Sequence, residues 1–263
     1  MYYALERVSK IAQEIKAYVY PDRVEINNFE MKEGNYRTIQ EAIDSPLAWQ
    51  IYEKETLWGG RDQHCWFRTK VKVPKHFSGK TIALNISTGE GGWDAVNPQF
   101  ILYVDGELIQ GLDVNHREVI IAESAEANRE YTIDLHAYSG MQSKKSFLFG
   151  ELVVVEKELR KLYFNIQVPV WVIEKLPKDD KKSIDMLTVL NDTINILDLR
   201  KPYSKLFYKS VDKANKYVEE ELYEKMGGHE DVIATCVGHT HIDVAWQWTV
   251  AQTREKVARS FST

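Results

Sequence analysis

The chain has 263 residues, 44% of them hydrophobic and 28% charged, an ordinary balance for globular protein with material for about two cored domains. Its 34 Lys and Arg stand against 39 Asp and Glu, a formal net charge of -5, with no basic run, which argues against nucleic acid or an anionic membrane as partner. Charges interrupt the N-terminus where a signal peptide needs an apolar core, and the longest apolar stretch, around Val168 to Ile173, is far too short for a bilayer.

Cys65 and Cys236 are far apart in sequence, so buried thiols in a reducing compartment are the simplest reading and a cytoplasmic location is expected. In chain order, Leu5, Val8, Ile11, Ala12 and Ile15 have helical spacing, closed by Tyr20-Pro21. A polar, irregular stretch follows to about Pro46. From Trp49 to about Val155 the period becomes two. Phe67, Val71 and Val73 alternate with Arg68, Lys70 and Lys72; Ile82, Leu84 and Ile86 form a second set, and Phe100, Leu102 and Val104 a third. The third runs into Asp105-Gly106, a type I′ hairpin signal, with Glu107 to Gln110 returning. Further strands are predicted near 118–122, 130–137 and 150–155. Many short strands between turns predict an antiparallel sandwich or jelly roll.

Helical spacing returns with Leu159, Leu162, Tyr163, Ile166, Val170 and Ile173, where Pro169 is expected to kink or split the helix. A second helix carries Ile184, Leu187, Leu190, Ile194 and Leu197, and a third runs from about Ser210 to Met226, before Gly227-Gly228. The nearly all-apolar run from Asp231 to Val237 suits a parallel strand buried on both faces. A loop of metal-binding residue types and a helix over 252–261 follow. One strand and one helix cannot bury a core, so this tail is expected to have no sheet partners of its own type in the chain. The sandwich is expected to fold without it.

His239, His241 and Asp243 stand two apart at the C-terminal end of that strand. Residues two apart along an extended segment point the same way, so all three can face one point. Imidazole and carboxylate together suit zinc, and strand C-termini are where α/β folds place their sites. The plainer alternative is a pair of surface histidines with Asp243 as a helix N-cap. Trp246 and Trp248 follow at once, with indoles suited either to a sugar ring or to core packing. Trp58, Trp66, Trp93 and Tyr103 of the sandwich admit the same two readings, a sugar platform or packing.

The run Val237-Gly-His-Thr-His-Ile-Asp-Val-Ala-Trp-Gln-Trp248, with Thr253-Arg-Glu-Lys-Val-Ala-Arg-Ser-Phe261, resembles the opening of the catalytic domain of glycoside hydrolase family 38 α-mannosidases, the cytosolic and bacterial type. Trp58 to Arg68, Asn97 to Gly106 and Gln110 to Arg117 resemble the N-terminal β domain of that group. The resemblance implies a multidomain α+β chain: a lead-in over 1–48, a jelly-roll, galactose-binding-like sandwich over 49–156, a helical segment over 157–229, and the first strand and helix of an α/β catalytic barrel over 230–263. It implies zinc bound by His241 and Asp243, with His239 supporting and Trp246 stacking on mannose. The remaining zinc ligands, the nucleophile and the general acid are expected beyond this stretch, so the chain is expected to be inactive alone.

The implied reaction is retaining hydrolysis of terminal α-linked mannose from an oligosaccharide. No nucleic-acid or membrane partner is expected, and assembly into a homo-oligomer stays open. A metal-dependent amidohydrolase, in which both histidines would be ligands, and a non-catalytic glycan-binding module are the competing readings.

Overall fold

The computed structural model describes residues 3–91, 97–177, 179–227, 235–238, 240–245 and 248–263. The chain divides into two units, Met1–Pro21 with Val155–Val237, and Asp22–Val154 with Gly238–Thr263.

The second unit is the sandwich. Its strands are β1 (Arg23–Ile26), β2 (Phe29–Glu33), β3 (Gln50–Tyr52), β4 (His64–Lys72), β5 (Ile82–Ser87), β6 (Gln99–Val104), β7 (Glu107–Leu112), β8 (Glu118–Ala122), β9 (Glu130–Tyr138) and β10 (Phe149–Val154). They form a six-stranded sheet in the order β3-β2-β4-β9-β6-β7 and a four-stranded sheet in the order β1-β10-β5-β8. Every pairing is antiparallel.

Because side chains alternate along a strand, one face of each sheet can be apolar while the other carries polar residues. Phe67, Val71, Phe100, Leu102, Ile133 and Leu135 of the large sheet share one core with Ile82, Leu84, Leu152 and Val154 of the small one. The Phe67 ring meets those of Tyr52 and Trp58 edge-on, each at a centroid distance of 5.2 Å. At the β6–β7 hairpin, Asp105 and Gly106 have φ of 52° and 85°. That pair of positive values is the type I′ geometry expected of Asp-Gly.

The stretch before Pro46 is not irregular throughout. β1 pairs with β10, and β2 pairs with β4 and β3. The short helix α2 (Ile39–Asp44) follows, with the Thr38 side chain capping its N-terminus. Lys32, on β2, is 2% exposed. Its ammonium donates to the carbonyls of Ala42 at 2.5 Å and Ser45 at 3.2 Å, a favourable place for a cation at a helix C-terminus.

The first unit is helical: α1 (Ala4–Tyr18), α3 (Lys157–Ile173), α4 (Lys181–Ile196) and α5 (Lys205–Val218), the last continuing as a π turn over Glu219–Glu224. α1 packs on α3 and α4, and α5 on α3 and α4. Val8, Ala12 and Ile15 of α1 are buried, as are Leu159, Leu162, Ile166 and Val170 of α3. α3 runs on through Pro169 without splitting. A proline there removes the amide that would bond the carbonyl of Asn165, and the Tyr223 hydroxyl donates to that carbonyl instead, at 3.2 Å. No helix among the described residues is long and apolar enough to cross a membrane.

The last helix, α6 (Val250–Ser262), belongs to the sandwich unit. It packs on β6 and β7 of the antiparallel sheet. The close approach depends on Gly111: a Cβ there would lie 2.8 Å from the Arg259 carbonyl oxygen. Of the predicted strand over 231–237, residues 231–234 lie outside the described residues, and residues 235–238 form no strand. A parallel strand needs a ladder neighbour, and no strand of a separate sheet lies beside them among the described residues.

Candidate metal centre

His241 and Asp243 come together as the spacing predicts. His241 Nε2 and Asp243 Oδ1 are 2.8 Å apart, with side chains 78% and 40% exposed. Neighbouring donors on a tetrahedral zinc, with bonds of about 2.0–2.2 Å, sit roughly 3.3 Å apart. At 2.8 Å the two atoms are hydrogen-bonded to each other, about 0.5 Å closer than two donors on one zinc, so the pair has to open slightly to take adjacent positions on one ion. His239 and Trp246 lie outside the described residues.

The loop that carries the pair is tied to the start of α6. The Trp248 indole Nε1 donates to the Asp243 carbonyl at 3.0 Å. Lys256 Nζ lies 3.9 Å from the centroid of the same indole, a cation–π arrangement. The Ala245 amide donates to Thr253 Oγ1 at 3.3 Å, and Ala245 has a φ of 56°. The N-cap of α6 is Thr249, in a capping box with Gln252. Asp243 is therefore not the cap, and its carboxylate faces His241.

Trp58 packs in the sandwich core, and Trp66 is buried on the opposite face of the large sheet, stacked on His136. Trp58 is 2% exposed and Trp66 fully buried. The Trp58 indole donates to the Phe147 carbonyl at 3.3 Å, and that of Trp66 to the Tyr36 carbonyl at 3.0 Å. Neither indole face is free for a sugar ring, so these two do not build a platform; Trp93 lies outside the described residues. Cys65 is buried, and burial pushes its thiol up to about 12, which makes it a poor nucleophile at neutral pH; Cys236, expected to be buried too, is exposed.

A second donor group, which no sequence spacing announces, is His64, His136 and Glu255. Pairing of β4 with β9 places the two histidines on neighbouring strands, and α6 brings Glu255 over them. The only sequence signal is the alternation that puts His64, Trp66, Asp134, His136 and Tyr138 on the face away from the core.

Comparison with known proteins agrees with the resemblance read from the sequence. The N-terminal domain of glycosyl hydrolases family 38 matches residues 231–263. The alpha-mannosidase jelly roll domain matches residues 20–163. Alpha-mannosidase G of Dictyostelium discoideum is 24% identical, over 98% of this chain and 25% of its own length. Alpha-mannosidase 2C1 of Mus musculus is 24% identical, over 76% of this chain and 20% of its own. The chain thus spans about a fifth to a quarter of these relatives. Among solved structures, the beta-glucuronidase of an uncultured Clostridium is 15% identical with a TM-score of 0.39, covering 52% of this chain and 29% of that one. A beta-glucuronidase of Ruminococcus gnavus is 9% identical with a TM-score of 0.37, covering 51% and 29%. Likeness at that level carries no functional argument. The jelly roll match alone takes in more than half of the residues, and the chain belongs to the family 38 alpha-mannosidases.

Proposed function

We propose that this chain provides the sandwich and part of the zinc site of a retaining α-mannosidase that removes terminal α-linked mannose from oligosaccharides in the cytoplasm. The observation that carries the reading is the convergence of His241 Nε2 and Asp243 Oδ1 at 2.8 Å in an exposed loop, within the stretch matched by the catalytic family. A histidine and a carboxylate are a donor set that zinc takes. When bound, zinc would supply a Lewis acid and a template for vicinal sugar hydroxyls.

The chain's own residues hold and shape that place. His241 and Asp243 are the ligands, His239 supports them, and Trp246 offers a wall against which the sugar ring stacks. The Trp248–Asp243 and Ala245–Thr253 hydrogen bonds anchor the loop on α6. Alone, the chain is expected to hydrolyse no aryl α-mannoside, since two ligands do not make a catalytic centre.

Zinc analysis of the enzyme that carries this chain separates the reading from a two-histidine amidohydrolase site. Asp243→Ala is expected to lose zinc, while His239→Ala keeps most of it. Equal loss from both variants would assign His239 as a ligand and overturn the proposed donor set.

A further inference from the structure

The outer face of the six-stranded sheet holds a donor group of its own, apart from residues 241–243. One ring nitrogen each of His64 and His136 and a carboxylate oxygen of Glu255 all lie within 4.8 Å of one another. His64 Nδ1 is 3.7 Å from Glu255 Oε2. The two histidines are 8% and 5% exposed. Among the described residues neither His64 Nδ1 nor His136 Nε2 has a hydrogen-bond partner. Buried polar atoms are rarely left so, and two imidazole nitrogens unpaired beside one carboxylate invite a common ligand.

We propose that His64, His136 and Glu255 bind a divalent transition ion of the zinc class, which ties α6 to the six-stranded sheet.

Two imidazoles and a carboxylate are a donor set that zinc uses with a fourth position open. Donors on one zinc sit about 3.3 Å apart, so the present group has to close by roughly 1.5 Å at most, within reach of side-chain rotation. The rings are already held. His136 stacks on Trp66 at 4.7 Å and 3° between planes, and His64 lies 4.7 Å from the Tyr138 ring. A cavity of about 400 Å³, lined in part by Tyr103, His136, Arg254 and Glu255, offers the ion an entrance and water for the open position.

The charges agree with this. Burial, reinforced by His64 and Arg259, lowers His136 to about 3, and burial also lowers His64. Both rings are therefore neutral, the form that binds a metal. Burial raises Glu255, a penalty on its carboxylate that a bound dication would reverse. The opposing charge is Arg259, with Nη1 3.9 Å from Glu255 Oε2. Asp62, whose field reaches both His64 and Glu255, offsets it.

The test is zinc chloride titrated into the metal-free 263-residue chain, followed by calorimetry and by the melting temperature. The background is His241→Ala with Asp243→Ala, which removes the other donor pair from the exposed loop. That background is expected to take up one equivalent of zinc and to melt higher with it. Loss of even a hydrogen-bond partner of a ligand typically costs about 10–100-fold in metal affinity. The isosteric Glu255→Gln is therefore expected to weaken zinc at least about tenfold and to abolish the rise in melting temperature, while still unfolding cooperatively in chelator. His136→Gln, a second variant, is expected to do the same. Zinc uptake that disappears in the His241→Ala, Asp243→Ala background would overturn the proposal. So would undiminished uptake in both Glu255→Gln and His136→Gln, or no uptake by the background protein at millimolar zinc.

Discussion

The loop residues 240–245 and the outer face of the six-stranded sheet both bring imidazole and carboxylate together, by opposite routes. In the loop, two side chains two residues apart meet at 2.8 Å, largely exposed. Their geometry is local, and a short stretch of chain is enough to make it. On the sheet, His64, His136 and Glu255 come from two strands and a helix, and the group exists only when the β4–β9 ladder and α6 are both in place. A local pair leaves a string in the sequence and costs little to assemble. A tertiary group leaves no string, and its positions depend on the core beneath it.

The sharpest way to break that comparison is to damage the core. Phe67 is fully buried, with Tyr52 and Trp58 edge-on to its ring. Phe67→Ala is expected to cost about 3–5 kcal/mol, a fall in melting temperature of roughly 10 °C for a unit of this size. The sheet group should loosen with it, while the His241–Asp243 pair should not. Thermal denaturation followed by near-ultraviolet circular dichroism reads the first effect. A melting temperature within a degree or two of the parent would mean that this core does not hold the sandwich.

A smaller effect is expected at Gly111, where the sheet meets α6 with no room for a Cβ. Besides the Thr263 hydroxyl at 2.8 Å, the obstacles are the carbonyl oxygen and Cα of Arg259, at 2.8 Å and 2.9 Å, and backbone cannot turn aside as a side-chain tip can. Gly111→Ala is expected to push α6 outward at a cost of about 1–3 kcal/mol, the range for overpacking. Hydrogen exchange along 250–262 should rise while exchange in β4 and β5 stays slow. Unchanged protection of α6 would show that the helix does not rest on β7 as described.

Much of the sandwich was legible because alternation reports a half-buried sheet directly. Phe67 with Val71, Ile82 with Leu84, and Phe100 with Leu102 all point into the core that their spacing predicts. The Asp105-Gly106 hairpin was legible for a stereochemical reason, the two positive φ values. β1 and β2 were not. Arg23–Ile26 buries only Ile26, and Phe29–Glu33 buries Phe29 and a lysine, so neither shows an apolar period. Lys32 is buried because α2 offers it carbonyls, a tertiary cause. The run through Pro169 has the same origin, since the compensating hydroxyl of Tyr223 lies far along the chain. For Trp58 and Trp66 the sequence admitted a platform or packing, because composition does not say which face of a strand a tryptophan occupies, and burial decides for packing. At the site, the string from His239 to Asp243 could be read, whereas Glu255 gave no sign of facing two histidines from other elements.

The most direct test of the central claim, that His241, Asp243 and Trp246 build part of a mannose site, is zinc content measured beside kcat/KM on an aryl α-mannoside. The proteins are the parent enzyme carrying this chain and its Asp243→Ala and Trp246→Ala variants. Aromatic contacts are worth about 0.5–1.5 kcal/mol beyond the area they bury, and a factor of ten in rate is about 1.36 kcal/mol. Trp246→Ala is therefore expected to keep its zinc and to lose kcat/KM by at least roughly tenfold, while Asp243→Ala loses both metal and activity. A zinc-replete Asp243→Ala enzyme with parental kcat/KM would contradict the account.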